Sequence, residues 1–294
     1  MLILFVNINP QKGGMKKEEK VMSLFIVDSE KCKRDGICVA ECPLQLIELK
    51  DKKSVPIPIN GADEMCINCG HCVAVCPHGA MSLATMKSEE CIPVQKDLLP
   101  GSEQIEHLMR SRRSIRTYED RAVEREVLTK LIDIARYAPT GSNTQLVRWL
   151  VINDKDKVRR LAGLIIDWVR HLIKEQYPLA GKYRLDRVVA AWEAGIDRVC
   201  RSAPALIVTH APKDYSIAAT DCAIALTYFE LAASVFGLGA CWAGFVYLAA
   251  NQWPPLQQAL GLPEEDTCLA MMVGYPKYRY HRIPQRNGAM VEWL

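Results

Sequence analysis

Three regimes of hydrophobic patterning follow one another along the chain. Residues 24–86 carry short apolar runs that recur, with Val39-Ala40 echoed 34 residues later by Val73-Ala74. Charge mixed with Pro93, Pro100 and Gly101 then reads as a linker. From Ser102 the spacing becomes helical, at Ile105, Leu108 and Met109 and again at Val127, Leu128, Leu131, Ile132 and Ala135, with Pro139 just past the end. The β-branched runs 149–153 and 205–211 suit strands, and the charged stretch 182–199 between them reads as helix. An apolar helix from about Ile217 to Phe236 and a further strand in 269–276 complete the pattern. Helices alternating with few strands predict an α+β fold. The expected order is an N-terminal extension over 1–22, a repeated unit over 23–90, a linker over 91–102 and a layered domain over 103–294.

Composition changes little of this picture. The 294 residues are 49% hydrophobic and 24% charged, ordinary for a globular chain. A net charge of +3 is too small to argue for nucleic acid or an anionic membrane. The opening residues have an apolar run but neither a basic region before it nor a small-residue cleavage site, so no secretory signal is expected. Residues 231–250 are uncharged and of transmembrane length, yet Gly237, Gly239 and Gly244 interrupt them, and Asp221 and Glu230 precede them. A buried helix leading through a glycine turn into a strand is the expectation, with no membrane span.

The twelve cysteines do change it. Seven lie between Cys32 and Cys76, at spacings that indicate metal rather than disulfides. Cys66, Cys69, Cys72 and Cys76-Pro77 form a complete C-x2-C-x2-C-x3-C-P run, in which three thiolates reach one iron–sulfur cluster and the fourth reaches another. Structural zinc sites share some of this spacing, but four cysteines, the Cys-Pro ending and the repeat favour iron. Offset by 34, Cys32, Cys38 and Cys42-Pro43 match the run, and Asp35 stands where the second copy has Cys69. One cluster then takes Cys42, Cys66, Cys69 and Cys72, and the other Cys32, Cys38, Cys76 and position 35. Asp35 either offers a carboxylate to the fourth iron, a harder donor that would leave it labile and the cluster open to a [3Fe-4S] form, or merely turns the loop beside Gly36. This unit resembles the two-cluster bacterial ferredoxin domain. His71 and His78 read as solvent-facing neighbours.

In the second half, Arg110, Arg112, Arg113 and Arg116 fall within seven residues, a cluster able to grip a phosphate. Asn143 and Gln145 follow a helix, where amides can bond a planar heterocycle, and Arg282 and Arg286 follow the last strand. Together with residues 237–245, these pieces resemble the nitroreductase family of FMN flavoenzymes, over 103–294. The resemblance implies a mostly antiparallel central sheet flanked by helices. It implies that Arg112, Arg113, Ser114 and Arg116, with Arg282 and Arg286, hold the phosphate and ribityl side. Asn143 and Gln145 would face the ring, and Ala243-Gly244 would present backbone to it. It further implies a homodimer with FMN at the interface, where Pro139, Thr140 and Gly141 approach the partner's flavin. The family often places Pro-Trp after the glutamine, whereas this chain has Leu146-Val147-Arg148-Trp149; the usual serine near Thr140 is also missing.

The combined expectation is a cytoplasmic enzyme that passes electrons from two clusters to FMN and on to a small electron-poor acceptor such as a nitroaromatic or quinone. An external ferredoxin or NAD(P)H is the expected donor. No Gly-x-Gly-x-x-Gly fingerprint follows a strand, but the family the chain resembles uses none, so that absence does not count against NAD(P)H. Reductive dehalogenation, enoate reduction or flavin modification on the same scaffold are alternatives, as is an electron carrier or redox sensor without its own substrate. The alternating basic and aromatic residues of 277–286 also permit RNA binding, but no nucleic acid is expected. Cys222, Cys241, His107 and His210 read as structural, and no side chain stands out as a proton donor.

Overall fold

The structure is a computed structural model and describes residues 24–294. The extension expected over 1–22 lies outside the described residues. The chain divides into two compact units between Val94 and Gln95.

The first unit is built almost entirely of turns. Strands β1 (Phe25–Val27) and β4 (Met81–Leu83) pair antiparallel, as do β2 (Ile47–Glu48) and β3 (Ile57–Pro58). Helices α1 (Ile37–Ala40), α2 (Ala62–Met65) and α3 (His71–Ala74) are single turns. The 34-residue repeat is written into the backbone as well as the sequence. Arg34 and Asn68 both take left-handed φ, at 59° and 53°, as do Gly36 and Gly70, at 74° and 73°, and Gln45 and Gly79, at 55° and 59°. The glycines start α1 and α3, where a side chain would be strained. At Gly70 an added β-carbon would also meet Met86 Sδ at 2.8 Å.

The second unit is layered around one antiparallel sheet in the order β5 (Arg148–Ile152), β6 (Ala205–Pro212), β8 (Asp266–Gly274), β7 (Gly239–Trp242). Alternation along the central strands splits the core in two. Leu206, Val208, Ala270 and Met272 face α6 (Lys155–Lys174), which contributes Val158, Leu161, Ile165 and Val169, with α10 (Gly244–Ala250) and α11 (Pro254–Leu260) beside it. Ile207, Met271 and Val273 face α5 (Arg125–Ala135) and α9 (Ala218–Val235), which contribute Leu128, Leu131, Leu226 and Phe229. The remaining helices are α4 (Ser102–Ser111), α7 (Pro178–Lys182) and α8 (Leu185–Glu193). Asp154 caps α6 by accepting from the Lys157 N–H at 2.9 Å.

The expected helix from Ile217 to Phe236 is α9, with those two residues as its caps. Within 231–250 the chain leaves α9, turns at Gly237 (φ 75°), forms β7 and enters α10, so that stretch is no single helix. Among the described residues α9 itself is the one helix long and apolar enough to cross a membrane; here it packs on the sheet. The helix expected over 182–199 is shorter, because Gly195 at φ 82° ends it. Trp149, which had no role by resemblance, packs in the core with its ring 6.2 Å from that of Phe229.

Candidate functional site

In the first unit the cysteines surround two separate hollows. One, of about 350 Å³, is lined by Cys42, Cys66, Cys69 and Cys72. The other, of about 360 Å³, is lined by Cys32, Cys38, Cys76 and Asp35. Each hollow takes three ligand positions from one half of the repeat and one from the other, the crossover that the spacing predicts. Among the described residues no His, Cys, Asp or Glu trio converges on a single metal ion. The Leu46 N–H donates to Cys42 Sγ and the Ala80 N–H to Cys76 Sγ, each at 3.3 Å and 34 residues apart. Such donors to sulfur are among the groups that tune a cluster's potential. Burial, then the neighbouring thiols, push the Cys72 thiol up to about 11, and burial and Cys32 push Cys38 up as well. Bound iron would relieve that crowding by taking the thiolates as ligands. The donor set therefore fits two iron–sulfur clusters.

Asp35, like Cys69, lies between a left-handed residue and a left-handed glycine. Its Oδ1 accepts from the Ile37 N–H at 3.2 Å. It thus turns the loop and lines the hollow at once, and the two readings of Asp35 are compatible. Arg34 braces this loop, donating to the carbonyls of Lys53 at 2.7 Å and Cys32 at 3.1 Å. Asn68 sits at the equivalent position, where its Oδ1 accepts from Thr85 Oγ1 at 2.6 Å. His71 and His78 are exposed.

In the second unit, the segment after α4 touches the open edge of β7 at Ile115 and then pairs with the residues after β8, where the Glu119 N–H donates to the Tyr275 carbonyl and the Lys277 N–H to the Thr117 carbonyl. The Ile115 N–H donates to the Ala240 carbonyl at 3.0 Å, and Ile115 lies so close to Gly239 that an added β-carbon there would meet Cγ1 at 2.3 Å. This pairing protects an edge strand and fixes the basic run. Arg110, Arg112, Arg113 and Arg286 line an open hollow of about 1180 Å³, with Met109, Ile283, Pro284 and Gln285. Four guanidiniums line it and suit a phosphate, although Arg110 is also paired with Glu106 at 2.8 Å and Arg112 with Glu230 at 2.9 Å. Ser114 and Arg116 come next on the same segment, where Arg116 Nη1 donates to the Ser114 carbonyl at 3.4 Å. Arg282 is exposed and stands outside that lining.

The loop 139–145 is held separately. Ser142, Asn143 and Gln145 have φ of 49°, 53° and 51°, an unusual concentration of left-handed residues without glycine. Thr140 Oγ1 accepts from the Gln145 N–H at 3.0 Å. Ala243 donates its N–H to the Ala270 carbonyl at 2.8 Å and heads α10. The space beside Gly244 is open, with nothing within 4 Å of where a β-carbon would be. Neither of these two segments lines the arginine hollow.

The comparisons with known proteins separate along the same division. A family model described as "Nitroreductase family" matches residues 109–275. The chain belongs to the nitroreductase family. A second, described as "4Fe-4S dicluster domain", matches residues 24–77. A protein of Archaeoglobus fulgidus, provisionally named NADH dehydrogenase/NAD(P)H nitroreductase, is 26% identical over 172 residues, covering 57% of this chain and 82% of the relative. Two solved structures share the fold of this nitroreductase-family chain. The FMN-bound nitroreductase of Bacteroides fragilis aligns at 20% identity and a TM-score of 0.52, over 64% of this chain and 99% of its own. That of Desulfitobacterium hafniense, also with FMN, aligns at 21% and 0.52, over 66% and 100%.

Two nitroreductase-unit residues escaped the functional reading of the sequence. Asp221 and Glu230 are buried on α9 and bonded to the segments above. Their signal was two acids inside an apolar helix.

Proposed function

We propose that this nitroreductase-family enzyme is a flavin oxidoreductase with its electron supply on the same chain. Electrons enter through two iron–sulfur clusters, one on Cys42, Cys66, Cys69 and Cys72 and the other on Cys32, Cys38, Cys76 and Asp35. The chain would hold these clusters and FMN so that electrons could reach a small electron-poor acceptor such as a nitroaromatic or quinone, with protons from solvent. When bound, the flavin supplies the exchange between one-electron and two-electron transfer. The protein's share is to hold and orient. Arg112, Arg113 and Arg286, helped by Ser114, Arg116 and Arg282, grip the phosphate side. Asn143, Gln145 and the Ala243-Gly244 backbone frame the ring, and Pro139, Thr140 and Gly141 reach the flavin of a partner copy in a homodimer. One chain carrying donor and acceptor replaces a chance encounter with a tethered one. An external ferredoxin or NAD(P)H reduces the protein, and cysteine-bound iron suits the reducing cytoplasm.

The observation that carries this reading is the hollow lined by four arginines, formed where the basic run meets the C-terminal segment. The double variant Arg112→Ala, Arg116→Ala is expected to lose FMN on gel filtration while keeping its iron content. Retention of FMN by that variant would refute the site. For the first unit, electron paramagnetic resonance of the oxidised protein is expected to show a [3Fe-4S] signal that added iron removes. Asp35→Cys is expected to silence it. An unchanged signal in Asp35→Cys would remove Asp35 from the ligand set.

A further inference from the structure

Helix α9 is apolar nearly all round, yet Asp221 and Glu230 are buried in it, 3% and 7% exposed. A carboxylate in such surroundings is costly unless donors answer it. Burial raises the proton affinity of both, and the answering groups lower it again. Those answering groups come from the segments read above as flavin-facing. The Gly141 N–H points at Asp221, 3.3 and 3.2 Å from its two oxygens. Glu230 Oε1 accepts from Arg112 Nη1 at 2.9 Å, and the nearby Trp242 side chain also lowers the proton affinity of that carboxylate. Trp242 directly precedes Ala243 and Gly244. One helix therefore reaches three segments that lie far apart in sequence.

Gly141 is gripped on its other side too, since Tyr215 donates its hydroxyl to the Gly141 carbonyl at 2.8 Å. The fit leaves no room for a β-carbon, which would stand 1.9 Å from Ile217 Cδ1 and 2.4 Å from the Tyr215 hydroxyl. Directly after this clamp come the left-handed residues Ser142, Asn143 and Gln145. Such conformations persist only where surrounding structure over-determines them, and the Asp221–Tyr215 grip on Gly141 supplies that constraint. The two acids are nine residues apart, about 13 Å along the helix axis. One serves the loop bearing the ring-side amides and the other serves an arginine of the phosphate hollow.

We propose that Asp221 and Glu230 are positioning residues of the flavin site. Asp221, with Tyr215, fixes the strained 140–145 turn, and Glu230 holds both Arg112 and the approach to Ala243-Gly244. This rests on the flavin reading of the site. Glu230 takes Nη1 of the Arg112 guanidinium, and among the described residues no other side chain bonds to that guanidinium, which leaves its remaining N–H groups to meet a phosphate, in the way a buried carboxylate orients a binding arginine.

The test uses the full chain with clusters intact and compares Glu230→Gln, Asp221→Asn and Tyr215→Phe. Ala225→Gly, which loosens the same helix without removing a polar group, serves as the control. FMN affinity and the visible circular dichroism of bound FMN are measured for each. Glu230→Gln is expected to weaken FMN binding about tenfold, the loss of one charge-assisted bond. Asp221→Asn and Tyr215→Phe are expected to hold FMN within about threefold of wild type, but to change the sign or amplitude of its dichroic band. The control should leave both readouts unmoved. If all three variants match wild type in affinity and dichroism while Arg112→Ala loses FMN, the positioning roles are refuted and the flavin site stands. The same holds if the control moves both readouts as far as the variants do, because general loosening of α9 would then suffice. If wild type takes up no FMN at this site, the flavin reading falls and takes this proposal with it.

Discussion

The two units keep their functional residues in place by opposite means. In residues 24–94 the buried cluster consists of Phe25, Cys38, Ile47, Cys72, Val73, Met81 and Leu83, so two of its seven members are proposed cluster ligands. Helices of one turn and strands of two or three residues cannot bury enough apolar surface to stand alone. In residues 95–294, complete apolar layers cover both faces of the sheet, and the binding segments are loops attached to that frame. In the first unit, holding the ligand and folding are expected to be one event. In the second, the packed frame carries the site residues on its loops.

The largest effect should come from iron. Chelation under reducing, anaerobic conditions is expected to abolish hydrogen-exchange protection across residues 24–94, because binding free energy there is folding free energy. The melting midpoint of the second unit should move by less than about 3 °C. Protection surviving in the first unit would show a fold that does not need its metal.

Next in size is damage to the frame. Phe229 is fully buried between α9 and the sheet, and Phe229→Ala is expected to cost about 3–5 kcal/mol. Calorimetry should place the whole loss in the second unit, with the cluster absorption unchanged. Gly239→Ala should cost less, about 1–3 kcal/mol, since Ile115 must move to admit the methyl group. Because it displaces the basic run from β7, it should also lower FMN affinity, measured by titration of fluorescence.

The smallest effect concerns the thiols outside the clusters. Cys91 is exposed, whereas Cys200, Cys222, Cys241 and Cys268 are buried. Burial pushes Cys222 up to about 11 and Cys268 up to about 12. For an acid with a raised folded value, the stabilising neutral form is fully present below the ordinary thiol value of 9 and is lost as pH rises through the folded value. At neutral pH, mass spectrometry after alkylation should therefore find Cys91 modified and these four spared. Labelling of Cys222 should begin before that of Cys268 as the pH climbs past 9.

The same contrast explains what could be read in advance. The grouping of the cysteines was legible because each hollow draws three of its positions from one short loop and the next helix, where spacing is geometry. Strands and helices of the second unit were legible from apolar period, to the extent that α9 begins and ends at Ile217 and Phe236. In the sequence its proposed flavin site rests on resemblance alone, since residues 112, 143, 243 and 286 meet no common spacing rule and are placed by tertiary packing. Asp221 and Glu230 show the limit plainly. In the sequence they only argued against a membrane span, and what they hold appears once the helix lies beside Gly141, Arg112 and Trp242.

The crossover in the first unit has a consequence for maturation. Cys42 belongs to the first repeat but faces the second hollow, and Cys76 does the reverse. Whichever hollow is filled first must therefore draw both halves of the repeat together. That act raises the effective concentration of the remaining ligands around the empty hollow. Assembly should thus be all-or-none across the pair, with half-loaded chains scarce even when iron is limiting. The hollow containing Asp35, the weaker of the two donor sets, would be stabilised by its neighbour's occupancy.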